Sequence, residues 1–373
     1  MDNTGKSTST ATLSAPPFAA HSPLEIPQLK KILNDCFQPD PKIYWADFLG
    51  SCLLGYGSLV LTEMVPTFSA LWFLGFVVSV FALYRAVLFT HELTHQDRKK
   101  LPGFSVAYNL LVGVPFLVPS FMYRGVHTDH HKKNSYATQE DGEYIAFGAS
   151  PFWKTIAYIC QSFYLPIVLT IRFGIIGPLS LLHPKLRLLV MKKASSMAIR
   201  FDADRKVPVG IDLRNWYALE VLCFLYVAGM TYVFVSGLLP LSTLAHVYAV
   251  VVCAFIINST RTVVAHRYRN KEFKELSFHD QLLDSVNLEG NPIIGELVAP
   301  VGLRFHGLHH LFAAMPYHNL AKAHRRLREQ LPKDSMYHLT VEPNLISAFR
   351  THYRNTRSGE AWPVMPEGSE VHP

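Results

Sequence analysis

The longest uncharged stretch of the sequence, Val221–Thr260, most constrains what the chain can fold into. It contains 40 consecutive residues without Asp, Glu, Lys or Arg, and Gly237 and Pro240 lie near its midpoint. One helical crossing of a bilayer needs about 20 apolar residues. The stretch therefore predicts two transmembrane helices joined by a short turn.

A second helical hairpin is predicted near the start of the chain. Phe48–Thr62 and Val65–Tyr84 are both free of charged residues except for Glu63 in the turn between them. Charged residues make up only 17% of the chain, against about 25% in soluble domains. Composition and pattern together predict an all-α integral membrane protein.

Histidines gather in three short clusters where apolar chain gives way to polar chain. They are His91 and His95; His127, His130 and His131; and His306, His309 and His310. Residues three or four apart share one face of a helix, so each cluster presents its imidazoles in one direction. One tetrahedral metal cannot use eight imidazoles. The clusters therefore predict a site for more than one metal, built from nitrogen ligands.

Helix geometry adds a ninth candidate. His266 follows the last predicted span within a turn or two, on the side of the other clusters. His246 lies 20 residues earlier, which is about 30 Å along a helix at 1.5 Å per residue. We therefore include His266 in the predicted site and exclude His246.

Acidic residues beside the second cluster allow two interpretations. Asp141, Glu143 or Asp129 could orient ligand imidazoles through hydrogen bonds, as carboxylates around metal sites do. The run 140–143 could equally be a solvated turn, and we favour the turn. His318 follows the third cluster closely, and we interpret it as a surface or structural histidine in preference to a supporting one.

If all three histidine clusters lie on one face of the membrane, this arrangement determines which apolar stretches cross the bilayer. An even number of crossings must separate the clusters, so Leu101–Tyr123 is predicted to be re-entrant or interfacial. Thr155–Leu182 contains Arg172 and prolines, and it is predicted to lie in the interface. Four transmembrane helices remain. Lys and Arg flank the clusters and fill 185–206, whereas the opposite turns contain none, so the clusters and both termini are predicted to be cytoplasmic.

The predicted organisation is one membrane domain with two tails. Residues 1–42 are rich in turn formers and predicted to be mostly disordered, 43–355 form the membrane domain, and 356–373 form a loose tail. Residues 264–355 are predicted to be a helical cytoplasmic cap. The net charge of +7 is assigned to cytoplasmic loops and not to nucleic-acid binding. The lack of an organelle-retrieval ending favours a bacterial plasma membrane.

The ordered patterns H-x-x-x-H, H-x-x-H-H and H-x-x-H-H carry a family resemblance. With His309-His310-Leu311-Phe312, Pro316 and Asn319-Leu320, the chain resembles the membrane fatty-acid desaturase and hydroxylase family over residues 45–330. That family places an asparagine one turn before the histidine matched by His266, and this chain has Thr262 there, with Asn258 a further turn away.

The resemblance implies a non-haem di-iron oxidoreductase acting on a fatty acyl substrate at the membrane. Two Fe2+ ions would be held by His91, His95, His127, His130, His131, His266, His306, His309 and His310. O2 would be the co-substrate, and a ferredoxin-, rubredoxin- or cytochrome-type protein would supply electrons. Desaturation is the predicted reaction. Hydroxylation, or conversion of a fatty acid to a terminal alkene, remains as an alternative.

Two further alternatives concern the surface and the first cluster. The basic residues Lys322, Arg325, Arg326 and Arg328 could dock an acidic electron carrier or could simply solvate a helix and meet lipid headgroups. His91-Glu92-Leu93-Thr94-His95 also matches the H-E-x-x-H zinc metalloprotease motif, with Glu92 as general base. That interpretation leaves the other two clusters without a role.

Overall fold

The computed structural model describes residues 22, 24–197, 200 and 202–358. The α-helices within these residues are α1 (Ile26–Ile32), α2 (Pro41–Glu63), α3 (Ala70–His95), α4 (Phe104–Tyr108), α5 (Phe121–His130), α6 (Phe152–Cys160), α7 (Leu165–Ile171), α8 (Gly177–Ser180), α9 (Pro184–Lys193), α10 (Gly210–Val235), α11 (Leu241–Val263), α12 (Phe278–Asp284), α13 (Pro292–Val298), α14 (His306–Leu311), α15 (Tyr317–Gln330) and α16 (Leu345–Ser358). The predicted all-α integral membrane fold is confirmed.

Short elements connect these helices. The 3₁₀ segments are Asn34–Cys36, Phe147–Ala149, Gln161–Phe163 and Met336–Thr340, and the π-helical segments are Asn109–Gly113 and Arg172–Ile176. Two-residue strands β1 (Asn287–Leu288) and β2 (Val341–Glu342) pair in parallel inside the cap. This pairing ties the chain before the third histidine cluster to the chain before α16.

Three of the described helices are long and apolar enough to cross a bilayer: α3, α10 and α11. A fourth span exists if Phe152–Phe163 and Leu165–Ser180, which are bent by 54° at their junction, count as one. The sequence instead predicted that this region lies in the interface and that α2 crosses. The 23-residue α2 is not among the three, because Asp47 and Glu63 and several glycines and serines lower its mean hydropathy.

The first predicted hairpin forms a closely packed helix pair, and in the second a short turn over residues 236–240 joins α10 to α11. In the first, α2 and α3 pack so closely that a Cβ on Gly55 would lie 2.6 Å from Leu83 Cγ. A Cβ on Gly75 would lie 2.6 Å from Thr62 Cγ2. These two glycines let the backbones approach, as small residues do between membrane helices. The close pairing fixes the end of α3, where His91 and His95 lie.

Three charged residues among the apolar helices form one cluster of ion pairs. Arg172 and Arg187 both form ion pairs with Glu220 of α10, and Arg172 also donates to the carbonyl of Ala194. Two arginines on one buried carboxylate satisfy groups that would be costly to leave alone in apolar surroundings. The pairing accounts for a charge inside the Thr155–Leu182 stretch.

The stretch between the first two clusters is too short to cross a bilayer. Phe104–Gly113 is an apolar helix of 10 residues, or about 15 Å at 1.5 Å per residue. The bilayer core is about 30 Å thick. This length agrees with the predicted re-entrant or interfacial segment.

The two ends of the chain differ in part from expectation. Residues 24–42 contain α1 and the 3₁₀ turn Asn34–Cys36, where the sequence predicted mostly disorder. Leu29, Leu33 and Cys36 are fully buried against the cap, which explains the order. The helix α16 continues to Ser358. Residues 1–21 and 359–373, to which the remaining tail predictions apply, lie outside the described residues.

Candidate metal centre

Four elements bring the histidines to one place. The C-terminal end of α3 carries His91 and His95, α5 and the residue after it carry the second cluster, and α14 carries the third. His266 lies three residues beyond the end of α11. All nine predicted residues fall into two groups whose ligand atoms lie within 4.8 Å of one another.

The five-histidine group consists of His91, His95, His127, His131 and His309. The Nε2 atom of His131 lies 3.1 Å from Nε2 of His127 and 3.1 Å from Nε2 of His309. The ring of His91 lies 4.3 Å from that of His309, between centroids.

The four-histidine group consists of His130, His266, His306 and His310. Nε2 of His306 lies 2.9 Å from Nε2 of His266 and 3.2 Å from Nε2 of His310. The two groups are adjacent, since the rings of His131 and His310 stack with centroids 4.2 Å apart.

These distances are also those expected between neighbouring ligands of one metal ion. A metal–nitrogen bond is roughly 2.1 Å long, which places neighbouring ligands of an octahedral ion about 3.0 Å apart. Several buried nitrogen atoms also have no hydrogen-bond partner among the described residues: both ring nitrogens of His91 and Nε2 of His95. Buried polar atoms normally have partners. A metal ion in the five-histidine group would satisfy Nε2 of His95 and one of the two ring nitrogens of His91.

Carboxylates and a tyrosine hold the outer nitrogens of the ligand rings. Asp141 Oδ2 accepts from Nδ1 of His130 at 2.8 Å, and Glu143 Oε2 accepts from Nδ1 of His127 at 2.9 Å. An ionised carboxylate can only accept, and in that state Nδ1 carries the proton and Nε2 keeps the lone pair that a metal needs. Our preference for a solvated turn at 140–143 was wrong. Asp141 is fully buried.

Sequence reasoning missed the support of His266. Tyr136 Oη lies 2.8 Å from Nδ1 of His266 and donates to Asp284 Oδ2 at 2.7 Å. All three side chains are buried. A tyrosine and an aspartate far apart in sequence offer no spacing signal, so only the fold brings them together.

The loop over residues 136–149, which contains Asp141 and Glu143, packs directly against the backbone that follows His266. A Cβ on Gly148 would lie 2.1 Å from the carbonyl oxygen of Arg267, so only glycine fits there. Asn270 Nδ2 donates to the carbonyl of Ala137 at 3.1 Å and links the same two segments. The supporting loop and the ninth histidine are therefore fixed to each other.

Burial keeps most of these imidazoles neutral. It lowers the pKa of His127, His131, His266, His306, His309 and His310 well below the ordinary value. Burial acts in the same direction on His130, but the Asp141 carboxylate outweighs it and raises the pKa of His130. Neutral imidazole is the form that binds metals. The environment therefore favours the ligating state at most positions.

The structure disfavours Glu92 as a general base. Its Oε2 accepts from the hydroxyl of Tyr44 and from the backbone N–H of Tyr317 at 3.3 Å. A zinc protease would need this carboxylate at a metal-bound water. Here it fastens α3 to α2 and α15 instead.

The other histidine and aspartate candidates lie away from the rings. His246 Nδ1 contacts Glu63 Oε1 at 2.7 Å, at the end of α2 remote from the site. His318 accepts from the backbone of Asp40 at 3.1 Å. Asp129 pairs with Lys132 at 2.5 Å.

The predicted basic docking surface is largely neutralised. Lys322 and Arg326 pair with Asp35, and Arg328 pairs with Glu289 at 2.8 Å. Among the described residues only Arg325 of the four lacks such a partner. The segment after α1 thus supplies charge compensation that the sequence alone did not indicate.

A cavity of about 290 Å³ reaches both histidine groups. Five of the ligand candidates line it: His91, His127, His130, His266 and His306. One wall is polar and comes from consecutive turns of α11, with Asn258, Ser259, Arg261 and Thr262. The remainder is mainly apolar and includes Met122, Leu169 and Phe255, although Glu143, Arg172 and Lys193 also line it. The volume lies at the lower end of the range for ligand pockets, roughly 300–1,000 Å³.

Together, the apolar helices, the paired histidine groups and the cavity define a membrane protein able to bind metal beside an apolar substrate. The sequence profile of the fatty acid desaturase family matches residues 66–341, and the chain belongs to this family. It is 36% identical over 338 residues to a ceramide hydroxylase from Caulobacter vibrioides, covering 90% of this chain and 94% of that protein. No solved structure matches the chain significantly.

The family assignment confirms the predicted class, an oxidoreductase of the desaturase and hydroxylase type that acts on lipid. Membership of this family excludes the metalloprotease alternative. Desaturation in particular, iron as the metal and the nine histidines as its ligands stay predictions.

Proposed function

We propose that this chain is an O2-dependent di-iron oxygenase that hydroxylates a ceramide-type lipid at the membrane surface. The observation that carries the proposal is the cavity beneath the histidines, which combines a polar wall with apolar surroundings. The similarity to a ceramide hydroxylase over nearly the full length of both chains supports the same substrate class.

The nine histidines would hold the metals in the two groups described above. Iron bound there supplies the oxidant that breaks an aliphatic C–H bond, using O2 and two electrons from an external donor. In the overall reaction one oxygen atom enters the C–H bond. The second leaves as water after taking up two protons and the two electrons. Asp141, Glu143 and Tyr136 orient the imidazoles through their Nδ1 atoms.

The polar wall of the cavity favours attack close to a lipid head group. Asn258, Ser259 and Thr262 line the cavity together with His266 and His306. Groups of this kind can hydrogen-bond the amide and hydroxyls of a ceramide, whereas the middle of an acyl chain offers no partner for them. The reacting carbon of the proposed substrate therefore lies within a few bonds of its polar end.

The apolar part of the cavity would hold the adjoining hydrocarbon and exclude water. Met122, Leu169 and Phe255 line it, and all three are buried. The cavity is too small for two complete lipid chains, so their remainder would extend into the bilayer. We place the enzyme in a bacterial plasma membrane, with the histidines on the cytoplasmic face as the distribution of Lys and Arg predicts. A ferredoxin-, rubredoxin- or cytochrome-type donor would approach from that side.

The reaction is tested by lipid analysis of ceramide-containing cells grown under isotopically labelled O2. Cells expressing the chain should accumulate a ceramide that has gained one labelled oxygen atom. Cells expressing His309→Ala should not, whereas His246→Ala should behave as the natural chain because His246 lies outside the site.

Three results would contradict the proposal. A ceramide that has lost two hydrogen atoms without gaining oxygen would make the enzyme a desaturase. Labelled oxygen in free fatty acids alone would exclude a ceramide substrate. Identical lipids in cells expressing the natural chain and in cells expressing His309→Ala would contradict both the proposed reaction and the proposed substrate.

A further inference from the structure

A second cavity of about 500 Å³ lies on the other side of α5 from the histidines, and we call it the lateral cavity. Phe121, Arg124 and Gly125 line it, whereas Met122 and Tyr123 of the same helix line the cavity at the metal centre. None of the nine histidines lines it. The proposed hydroxylation does not use this space.

The charged residues that line the lateral cavity are mostly basic. In the described part of the chain they are Arg98, Arg124, Arg205 and Lys206, together with one acidic residue, Asp212. Arg98 pairs with Asp212 at 3.2 Å, and Lys206 pairs with Glu140 at 3.3 Å. Arg124 and Arg205 have only backbone acceptors among the described residues, the carbonyls of Leu93 and Ser195. Neither arginine forms an ion pair with a carboxylate of the described residues, although the Asp129 carboxylate is near enough to raise the pKa of Arg205 in part against burial.

Arg205 is held in place as a binding group would be. It is 8% exposed, and the centre of its guanidinium lies 4.5 Å from the centroid of the Trp216 ring. Within the described part of the chain its Nε has no hydrogen-bond partner, and neither has Nε1 of the fully buried Trp216. Burial lowers the pKa of Arg205 to about 10. A buried guanidinium without an anion is costly, and a bound anion would remove that cost.

The cavity also has an apolar side at the level where spans begin and end. Val106, Leu110 and Leu222 line it and are 62%, 55% and 38% exposed. Leu222 belongs to α10, which is long and apolar enough to cross the bilayer, and Arg98 follows the end of α3. At a membrane boundary, basic residues can contact the phosphate of a phospholipid, and the exposed apolar residues beside them can contact its acyl chains.

We propose that the lateral cavity binds an anionic phospholipid, with Arg205 and Arg124 contacting the phosphate. Arginine suits this role because its guanidinium can donate two parallel hydrogen bonds to phosphate oxygens. The acyl chains lie along Val106, Leu110 and Leu222. A net-anionic lipid is preferred to a zwitterionic one, because a head-group ammonium would meet the arginines.

The test is direct binding of short-chain lipids to the purified full-length protein in detergent. Phosphatidylglycerol should bind at least about tenfold more tightly than phosphatidylcholine, as expected when a charge-assisted contact is gained. Inorganic phosphate alone should not displace it at comparable concentration. Arg205→Gln and Arg124→Gln should each weaken phosphatidylglycerol binding by about tenfold or more. Lys99→Gln is the matched control. Lys99 is exposed and does not line the cavity, and its substitution removes one positive charge from the neighbouring loop.

Metal content and thermal unfolding of each variant show whether it is folded. If one arginine variant fails to fold, the other carries the test. Unchanged binding in a folded arginine variant would overturn the proposal. Equal binding of phosphatidylglycerol and phosphatidylcholine would also overturn it. Displacement of the lipid by inorganic phosphate would contradict a lipid site and leave a site for free anions only. Binding is measured without turnover, so its failure and a failure of the proposed hydroxylation are separate results.

Discussion

Replacing His266 with alanine is expected to remove one of the two metals and to abolish turnover. His266 Nε2 lies 2.9 Å from Nε2 of His306 and 3.2 Å from Nε2 of His130, so the four-histidine group is built around it. The variant leaves that group with three imidazoles, while the five-histidine group is untouched. Bound iron should fall from about two to about one per chain, and activity by more than about 100-fold, beyond the loss typical of a supporting residue.

The matched control for this experiment is His246→Ala. His246 lies in α11, the helix that ends three residues before His266, and it contacts Glu63 outside the site. The His246→Ala variant should retain both its iron and its activity. Full iron content and activity in His266→Ala would remove His266 from the ligand set. Loss of both in His246→Ala would show that the assay responds to damage of the helix and not of the site.

Asp141→Asn is expected to weaken iron binding while leaving the fold in place. Asp141 Oδ2 accepts from Nδ1 of His130 and also from the backbone N–H of Ala137 at 2.8 Å. An asparagine of the same shape loses the negative charge that supports the imidazole. It also has only one oxygen, whereas both oxygens of Asp141 accept, since Oδ1 accepts from the backbone N–H of Glu143 at 2.9 Å. Loss of such a supporting carboxylate costs about 10–100-fold in metal affinity or activity.

Asp129→Asn provides the comparison for this change. Asp129 is in the same histidine cluster, but its carboxylate faces Lys132 and Lys206. Titration of iron into the metal-free proteins, followed by activity at saturating iron, separates weak binding from a faulty site. Equal iron affinity in the two variants would contradict the supporting role of Asp141.

The histidine arrangement was predictable because it depends on local geometry. Helical spacing places His91 and His95, and likewise His127 and His131, on one face, and the end of α11 leaves His266 beside them. The distance of about 30 Å along the helix was likewise enough to exclude His246. These conclusions need only the rise and period of a helix and the positions of the apolar stretches.

The support of the site was not predictable, because it depends on how loops fold back. Nothing in the sequence distinguishes Asp141, which is buried against His130, from Glu140, whose side chain is 68% exposed. Tyr136 and Asp284 are 148 residues apart and meet only in the folded chain. By length and hydropathy the candidate spans are α3, α10 and α11, with the bent helices of the 152–180 region as a fourth if they count as one, whereas the prediction counted α2. The ion pair of Arg172 with Glu220 depends on tertiary packing that the sequence does not show.

The most direct test of the central claim is the metal content of the purified protein, measured by elemental mass spectrometry together with Mössbauer spectroscopy of protein grown on enriched iron. The two histidine groups predict two irons per chain, both in nitrogen-rich surroundings. A double variant, His131→Ala with His306→Ala, takes one ligand from each group and should contain almost none. One zinc ion per chain, or iron that persists unchanged in the double variant, would contradict a di-iron centre held by these nine histidines.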